Sequence, residues 1–108
     1  MNRRMKKKVE KRKRKQIHEL LDLVLDVNGL EPREQSITGN LPTVFFEFSG
    51  HVGRIDVRIY QAGWASGKDY DAEIWPRTRR LSELADAVHS LKALKAETPG
   101  AATPRESR

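Results

Sequence analysis

Ten cations crowd into the first fifteen residues of this chain: Arg3, Arg4, Lys6, Lys7, Lys8, Lys11, Arg12, Lys13, Arg14 and Lys15, against Glu10 alone. Side chains of this kind neutralise phosphates and release condensed counterions. A run this dense therefore gives salt-dependent affinity for nucleic acid without reading its sequence. A solvated terminus, or a docking arm for an acidic protein, has the same composition. No zinc-finger spacing, RNA-recognition signature or GxxG loop sharpens the choice. A second set lies further on, where Arg54, Arg58 and Tyr60 share one side of a strand-like run, with Phe45 and Trp75 on neighbouring runs. A face that mixes cations with aromatic rings can stack unpaired bases. The same face also carries Asp56, Asp71 and Glu73, and alternation in sign fits cross-strand ion pairs better.

Other chemistry is thinner. Asp69, Asp71 and Glu73 at i, i+2, i+4 share one side of a strand, a spacing that suits a divalent cation. Pairing with Arg54 and Arg58 is the simpler use, and the calcium-loop pattern is missing. His18, His51 and His89 fall in three separate segments with no serine or cysteine nucleophile pattern beside them. His18 precedes Asp22 by one helical turn, as an ordinary i, i+4 contact does. His51 and Trp64 are candidates for a shared loop-side pocket. The chain has no cysteine, which removes disulfides and thiolate metal sites. From these patterns we expect a protein that is not an enzyme, with no catalytic residues, no metal and no cofactor.

The 108 residues are room for one domain. The net charge of +6 is unevenly spread, because residues 16–97 hold nine Lys/Arg against thirteen Asp/Glu. The chain thus divides into a basic arm at 1–15, a mildly acidic domain at 16–97 and a tail at 98–108. The tail's Pro99, Gly100 and Pro104 among small and polar residues predict disorder.

Hydrophobic periodicity places the elements. Ile17, Leu20, Leu21 and Val24 follow the spacing of one buried helical stripe, which Leu25 and Val27 widen. Asn28-Gly29 is a stop signal and Pro32 prevents resumption. This predicts a helix from the middle of the arm to Asn28, with residues 1–8 frayed because positive charge opposes the helix dipole. Residues 30–42 read as a connection, with Gln35 to Thr38 as a candidate short fourth strand. Three strand-like runs follow at Thr43 to Ser49, Arg54 to Tyr60 and Tyr70 to Trp75, the second alternating strictly. A last helix carries Leu81, Leu84, Ala85, Val88, Leu91 and Leu94 on its apolar side, with Thr78 as N-cap. The fold class is α+β: an N-terminal helix, a three- or four-stranded antiparallel meander and a C-terminal amphipathic helix packed on the sheet. The expected core is Leu20, Leu21, Val24, Phe46, Phe48, Ile55, Val57, Ile59, Ile74, Leu81, Leu84, Val88 and Leu91. The heptad-like spacing of Leu81, Leu84, Val88 and Leu91 also suits a homodimer seam, although a stripe buried on the sheet explains it as well.

The run Phe46-Glu47-Phe48-Ser49-Gly50-His51-Val52, followed by Ile59-Tyr60-Gln61-Ala62-Gly63-Trp64, resembles small uncharacterised proteins of phages and mobile elements of Gram-positive bacteria. Those pair a Lys/Arg-rich start with an FSGHV hairpin and a later GW. The resemblance spans roughly residues 1–75. It implies a phage or mobile-element origin and supplies no activity or site residues. With a strand at Gln35 to Thr38, the order after the first helix is similar to the PC4-like single-stranded DNA-binding fold, a likeness of topology alone.

The expectation is an accessory protein that binds DNA or RNA through Arg3 to Lys15, with Arg54 and Arg58 as secondary contacts. The alternative is a protein-interaction inhibitor of a host nucleic-acid enzyme, for example an anti-CRISPR. No apolar run reaches the ~18–20 residues of a membrane span, and the expected location is the cytoplasm of a host bacterial cell.

Overall fold

The computed structural model describes residues 2–98, and the element order is helix α1 (Arg3–Asn28), helical turn α2 (Gln35–Thr38), strands β1 (Thr43–Ser49), β2 (Arg54–Tyr60) and β3 (Ala72–Ile74), and helix α3 (Leu81–Glu97). This is the α+β arrangement that the periodicity predicts. The sheet is antiparallel in the order β1-β2-β3. Phe46 sits opposite Val57 and Val57 opposite Ile74, so the apolar sets of all three strands share one face. Both long helices cover that face and pack on each other.

The core forms where helices and sheet meet, from Leu20, Leu23, Val24 and Val27 of α1, Val44, Ile55, Val57 and Ile59 of the sheet, and Leu84, Ala87, Val88, Leu91 and Leu94 of α3. Phe46, Ile74 and Leu81 are partly buried against it. Two expected core residues are not there. Leu21 is 43% exposed and Phe48 is 54% exposed. Leu21 loses its place because α1 is turned so that Leu23 and Val27 face inward instead, and Leu25 is exposed as well. Two ion pairs between the helices accompany that rotation, Lys92 to Glu19 at 3.1 Å and Lys95 to Asp26 at 2.9 Å. Both partners advance in the same direction, so the helices run roughly parallel. Phe48 lies at the hairpin end of β1, next to the arm half of α1.

α1 starts at Arg3, well before the middle of the basic arm, so residues 3–8 are helical where fraying is expected from charge alone. The Asn2 side chain caps the helix by accepting the Met5 N–H at 2.9 Å, which satisfies one of the orphan donors of the first turn. At the other end Gly29 adopts φ +73° and donates its N–H to Leu25 O at 2.7 Å. That left-handed conformation is one a Cβ disfavours.

Asn28 does more than stop the helix. Its side-chain amide donates to Val44 O at 2.7 Å and its side-chain oxygen accepts the Val44 N–H at 2.8 Å. It thus occupies the free edge of β1 as a neighbouring strand would. Val44 is buried, so neither backbone group has ready access to water. We expect Asn28→Ala to destabilise the protein by roughly 1–3 kcal/mol, the cost of leaving buried backbone groups unpaired. Asn28→Asp restores only the acceptor half. Chemical denaturation of the three proteins checks this, and an unchanged midpoint for Asn28→Ala would show that the clamp is idle.

Gln35 to Thr38 is a helical turn and not a strand. Its N–H groups close locally, Thr38 N to Glu34 O at 2.9 Å and Gly39 N to Gln35 O at 3.0 Å, and it is not one of the strands of the β1-β2-β3 sheet. It packs on the loop after β2, where Gln35 N donates to Trp64 O at 2.8 Å. Gly63 makes that approach feasible, since its φ is +91° and a Cβ would come within 2.8 Å of Gly39 O. β3 is shorter than the expected Tyr70 to Trp75 run. Thr78 is not the cap of α3: Arg80 holds that position, and Thr78 Oγ1 donates to Gly53 O at 3.0 Å. The expected disorder of 98–108 falls outside the described residues except at Thr98, which is buried and closes α3 by donating to Leu94 O at 2.6 Å. Among the described residues no helix is long and apolar enough to cross a membrane.

Candidate nucleic-acid interface

Each side chain proposed to touch a ligand inherits its position from α1 or from the sheet. At 1.5 Å per residue α1 spans about 39 Å, and the cation-bearing half, residues 3–15, spans roughly 20 Å. A helix turns 100° per residue, so residues nine apart lie on opposite faces. Lys11 is nine residues before Leu20, Arg14 nine before Leu23 and Lys15 nine before Val24. The core stripe of the second half of the helix therefore dictates a cationic stripe on the outside of the first half. Arg4, Lys7 and Lys8 continue that stripe at helical spacing, and all are exposed.

Ion pairing separates two populations of cations. In the sheet and α3, carboxylates engage most of them. Arg54 pairs with Asp56 at 3.3 Å, Arg58 with Glu73 at 3.5 Å, and Arg77 and Arg80 share Glu83 at 3.0 and 3.3 Å. The hydrogen bonds from Arg77 hold the Glu83 carboxyl below its ordinary pKa. In the arm, only Arg14 has an acidic partner, Glu10 at 3.2 Å one turn away. The other nine of its ten cations make no ion pair among the described residues. The first turn of α1 also lacks an acidic residue. The positive end of the helix dipole and the side-chain charges thus add rather than cancel.

The outer face of the sheet is electrostatically different. Phe45, Arg58 and Glu73 lie in one cross-strand row, and Arg58 is paired within it. Arg54 makes two contacts to Asp56, whose side chain is buried. Glu47 and Asp71 share this face by alternation, so carboxylates outnumber the two arginines. Phe45 and Tyr60 pack with ring centroids 5.4 Å apart, and Tyr70 meets Tyr60 edge-on at 6.5 Å. The charge of Glu73, which also accepts the Tyr70 hydroxyl at 3.3 Å, pushes that phenol above its ordinary pKa of 10.0. Trp75 is not part of this platform. It borders a hollow lined by Glu83, Asp86 and Ala87 of α3.

The remaining candidates are dispersed. Asp71 accepts the Gln61 N–H at 2.7 Å and Asp69 accepts the Tyr70 N–H at 3.0 Å, so the acidic trio serves backbone groups and Arg58. Among the described residues no three His, Asp or Glu side chains converge as metal ligands would. His18 makes no ion pair with Asp22. His51 and Trp64 do not share a pocket: they follow opposite ends of β1 and β2, on the order of 20 Å apart at ~3.4 Å per strand residue.

One feature leaves only a faint trace in the sequence. The arm half of α1, the hairpin end of β1 and the segment before α3 enclose a groove of about 630 Å³, lined among others by Lys6, Val9, Lys13, Ile17, Phe48 and Arg79. Val9, on the same helical face as Leu20, hints that the apolar stripe continues into the arm. Nothing local announces that Phe48 and Arg79 would stand across from it.

No protein-family model matches the chain, and comparison with curated proteins and with solved structures finds no match.

Proposed function

We propose that this chain is a non-enzymatic nucleic-acid-binding protein that engages phosphates through one face of a basic helix, residues 3–15 of α1. The observation that carries the reading is the contrast in charge compensation. Arginines on the sheet and at the start of α3 are held by carboxylates, whereas nine arm cations have no acidic partner. Arg4, Lys7, Lys8, Lys11 and Lys15 form the face turned away from the core. A rigid helix presents these charges without the ordering entropy that a flexible arm loses on binding. Contacts of this type fix affinity and position and carry no base readout. Arg54 and Arg58, already compensated, are at most minor contributors in this account. The hairpin and GW motifs favour an accessory role in a phage or mobile element.

The test is fluorescence anisotropy of the full chain with short labelled DNA and RNA, titrated with salt. The expected log K falls linearly with log salt, with a slope of about −0.9 for each duplex phosphate contacted and about −0.7 on single strands. Absence of binding even at 50 mM salt would contradict the reading. It would favour a protein inhibitor whose cationic helix occupies the channel of a host nucleic-acid enzyme.

A further inference from the structure

We propose that the groove between the arm and the β1–β2 hairpin seats an unpaired nucleotide of single-stranded nucleic acid. Its base stacks on Phe48, and the flanking phosphates lie on Lys6, Lys13 and Arg79. This rests on the reading of the arm as a phosphate-binding helix and adds a second, single-strand-specific contact on the Val9 side of α1, across the helix from Arg4, Lys7, Lys8, Lys11 and Lys15.

Three observations meet in this place. Phe48 is 54% exposed, whereas Ile55, its partner across the hairpin, is fully buried. A large ring is therefore left uncovered at the edge of a packed face. The space beside it, about 630 Å³, falls in the range of ~300–1,000 Å³ typical of small-ligand sites. The groove's charged lining is Lys6, Lys13, Arg14 and Arg79 against Glu10 alone, and Glu10 is taken by Arg14. Charge complementarity thus calls for an anionic occupant with a flat apolar part.

Nucleotides fit that description better than an acidic peptide does. Their charges repeat along a backbone, as the unpaired cations repeat along α1, and every base offers a π-face to an aromatic ring. The preference for a single strand follows from the position of the ring. In a duplex the base faces are hidden in the stack, so Phe48 gains nothing from double-stranded ligands. The aromatic cluster on the outer sheet face is the competing platform. Its neighbouring carboxylates, Glu47, Asp71 and Glu73, repel phosphate there.

The experiment compares the full chain with Phe48→Leu and Phe48→Trp. Each is measured by anisotropy against a twelve-nucleotide single strand and against the same sequence as a duplex, at 100 mM salt. Because Phe48 is largely exposed, both variants should fold, and far-UV circular dichroism verifies this. The expected result is a roughly five- to 100-fold loss of single-strand affinity for Phe48→Leu, the value of one base–aromatic stack. Duplex affinity should be unchanged, and Phe48→Trp should restore the preference. Single-strand binding by Phe48→Leu equal to that of the parent would overturn the groove proposal and leave the arm reading standing. Failure of the parent chain to bind either ligand, at 100 mM salt and again at 50 mM, would overturn both. Self-association that Phe48→Leu abolishes, with single-strand affinity intact, would assign the groove to a second copy and likewise overturn the proposal.

Discussion

Replacing Arg4, Lys7, Lys8, Lys11 and Lys15 together by glutamine is expected to lower nucleic-acid affinity by about 100-fold or more at 50 mM salt, and to flatten the salt dependence. All five lie on the exposed face of α1 opposite the core stripe, and none has an ion-pair partner. Five lost duplex phosphate contacts should reduce the magnitude of the slope of log K against log salt by about 4–5. Glutamine has nearly the helix propensity of lysine and arginine, so the helix should persist. Five fewer like charges also relieve repulsion along the arm. The thermal midpoint should therefore stay the same or rise slightly, and calorimetry separates a binding defect from an unfolding one. Matched glutamine substitutions at Arg54 and Arg58 serve as the control. Those side chains are already paired with Asp56 and Glu73, so their removal should change the affinity far less than the arm variant does.

The second large effect concerns the junction that aims the arm. Leu20 is fully buried where α1 meets both the sheet and α3. Leu20→Ala should destabilise the protein by roughly 2–5 kcal/mol, combining lost transfer energy with the cavity left behind. Domains of this size have only about 5–15 kcal/mol in total. Each kcal/mol lowers the midpoint by about 4–8 °C, so a fall of roughly 8–40 °C should appear in a thermal melt. Leu21, its neighbour in sequence, is exposed and should tolerate alanine within about 0.5 kcal/mol. The pair is informative because both leucines fit a helical stripe equally well on paper. A larger effect at Leu21 than at Leu20 would mean that α1 presents a different face to the core, and the cationic face would have to be redrawn with it.

That pair also marks the limit of what spacing alone encodes. Ile17, Leu20, Val24 and Val27 define a helix and its general direction through spacing alone. Leu21, Leu23 and Leu25 lie on either side of that line, and which of them turns inward depends on α3, seventy residues away. The Lys92–Glu19 and Lys95–Asp26 pairs belong to that long-range packing, which periodicity cannot register. The strict alternation of Arg54 to Tyr60 was enough to place the central strand and its inner face. It does not tell how much of β1 the helices cover, and alternation alone puts Phe48 in the core. Gln35 to Thr38 is too short for periodicity to distinguish strand from helix. Its backbone partners, Glu34 and Gln35 carbonyls within and Trp64 beyond, emerge only in three dimensions. Asn28 carried a clear local signal as a helix stop, while its bond to Val44 lies sixteen residues further on.

For the candidate site the balance is similar. The charge run of Arg3 to Lys15 is visible in composition, and its pairing is nearly so, because Glu10 is the one carboxylate within it. Its helical order is less visible, because ten cations in the first turns argue against a helix, and the Asn2 cap weighs on the other side. The groove beside Phe48 needed the fold, since its walls come from three separate segments.

Backbone amide chemical shifts, followed by NMR while the full chain is titrated with a short oligonucleotide, reveal which face of the protein meets phosphate. Residues 3–18 should shift most, led by Arg4, Lys7, Lys8, Lys11 and Lys15, with Phe45, Arg58 and Glu73 on the outer sheet face nearly still. Shifts concentrated on Phe45, Arg58 and Glu73, with the arm unperturbed, would contradict the account.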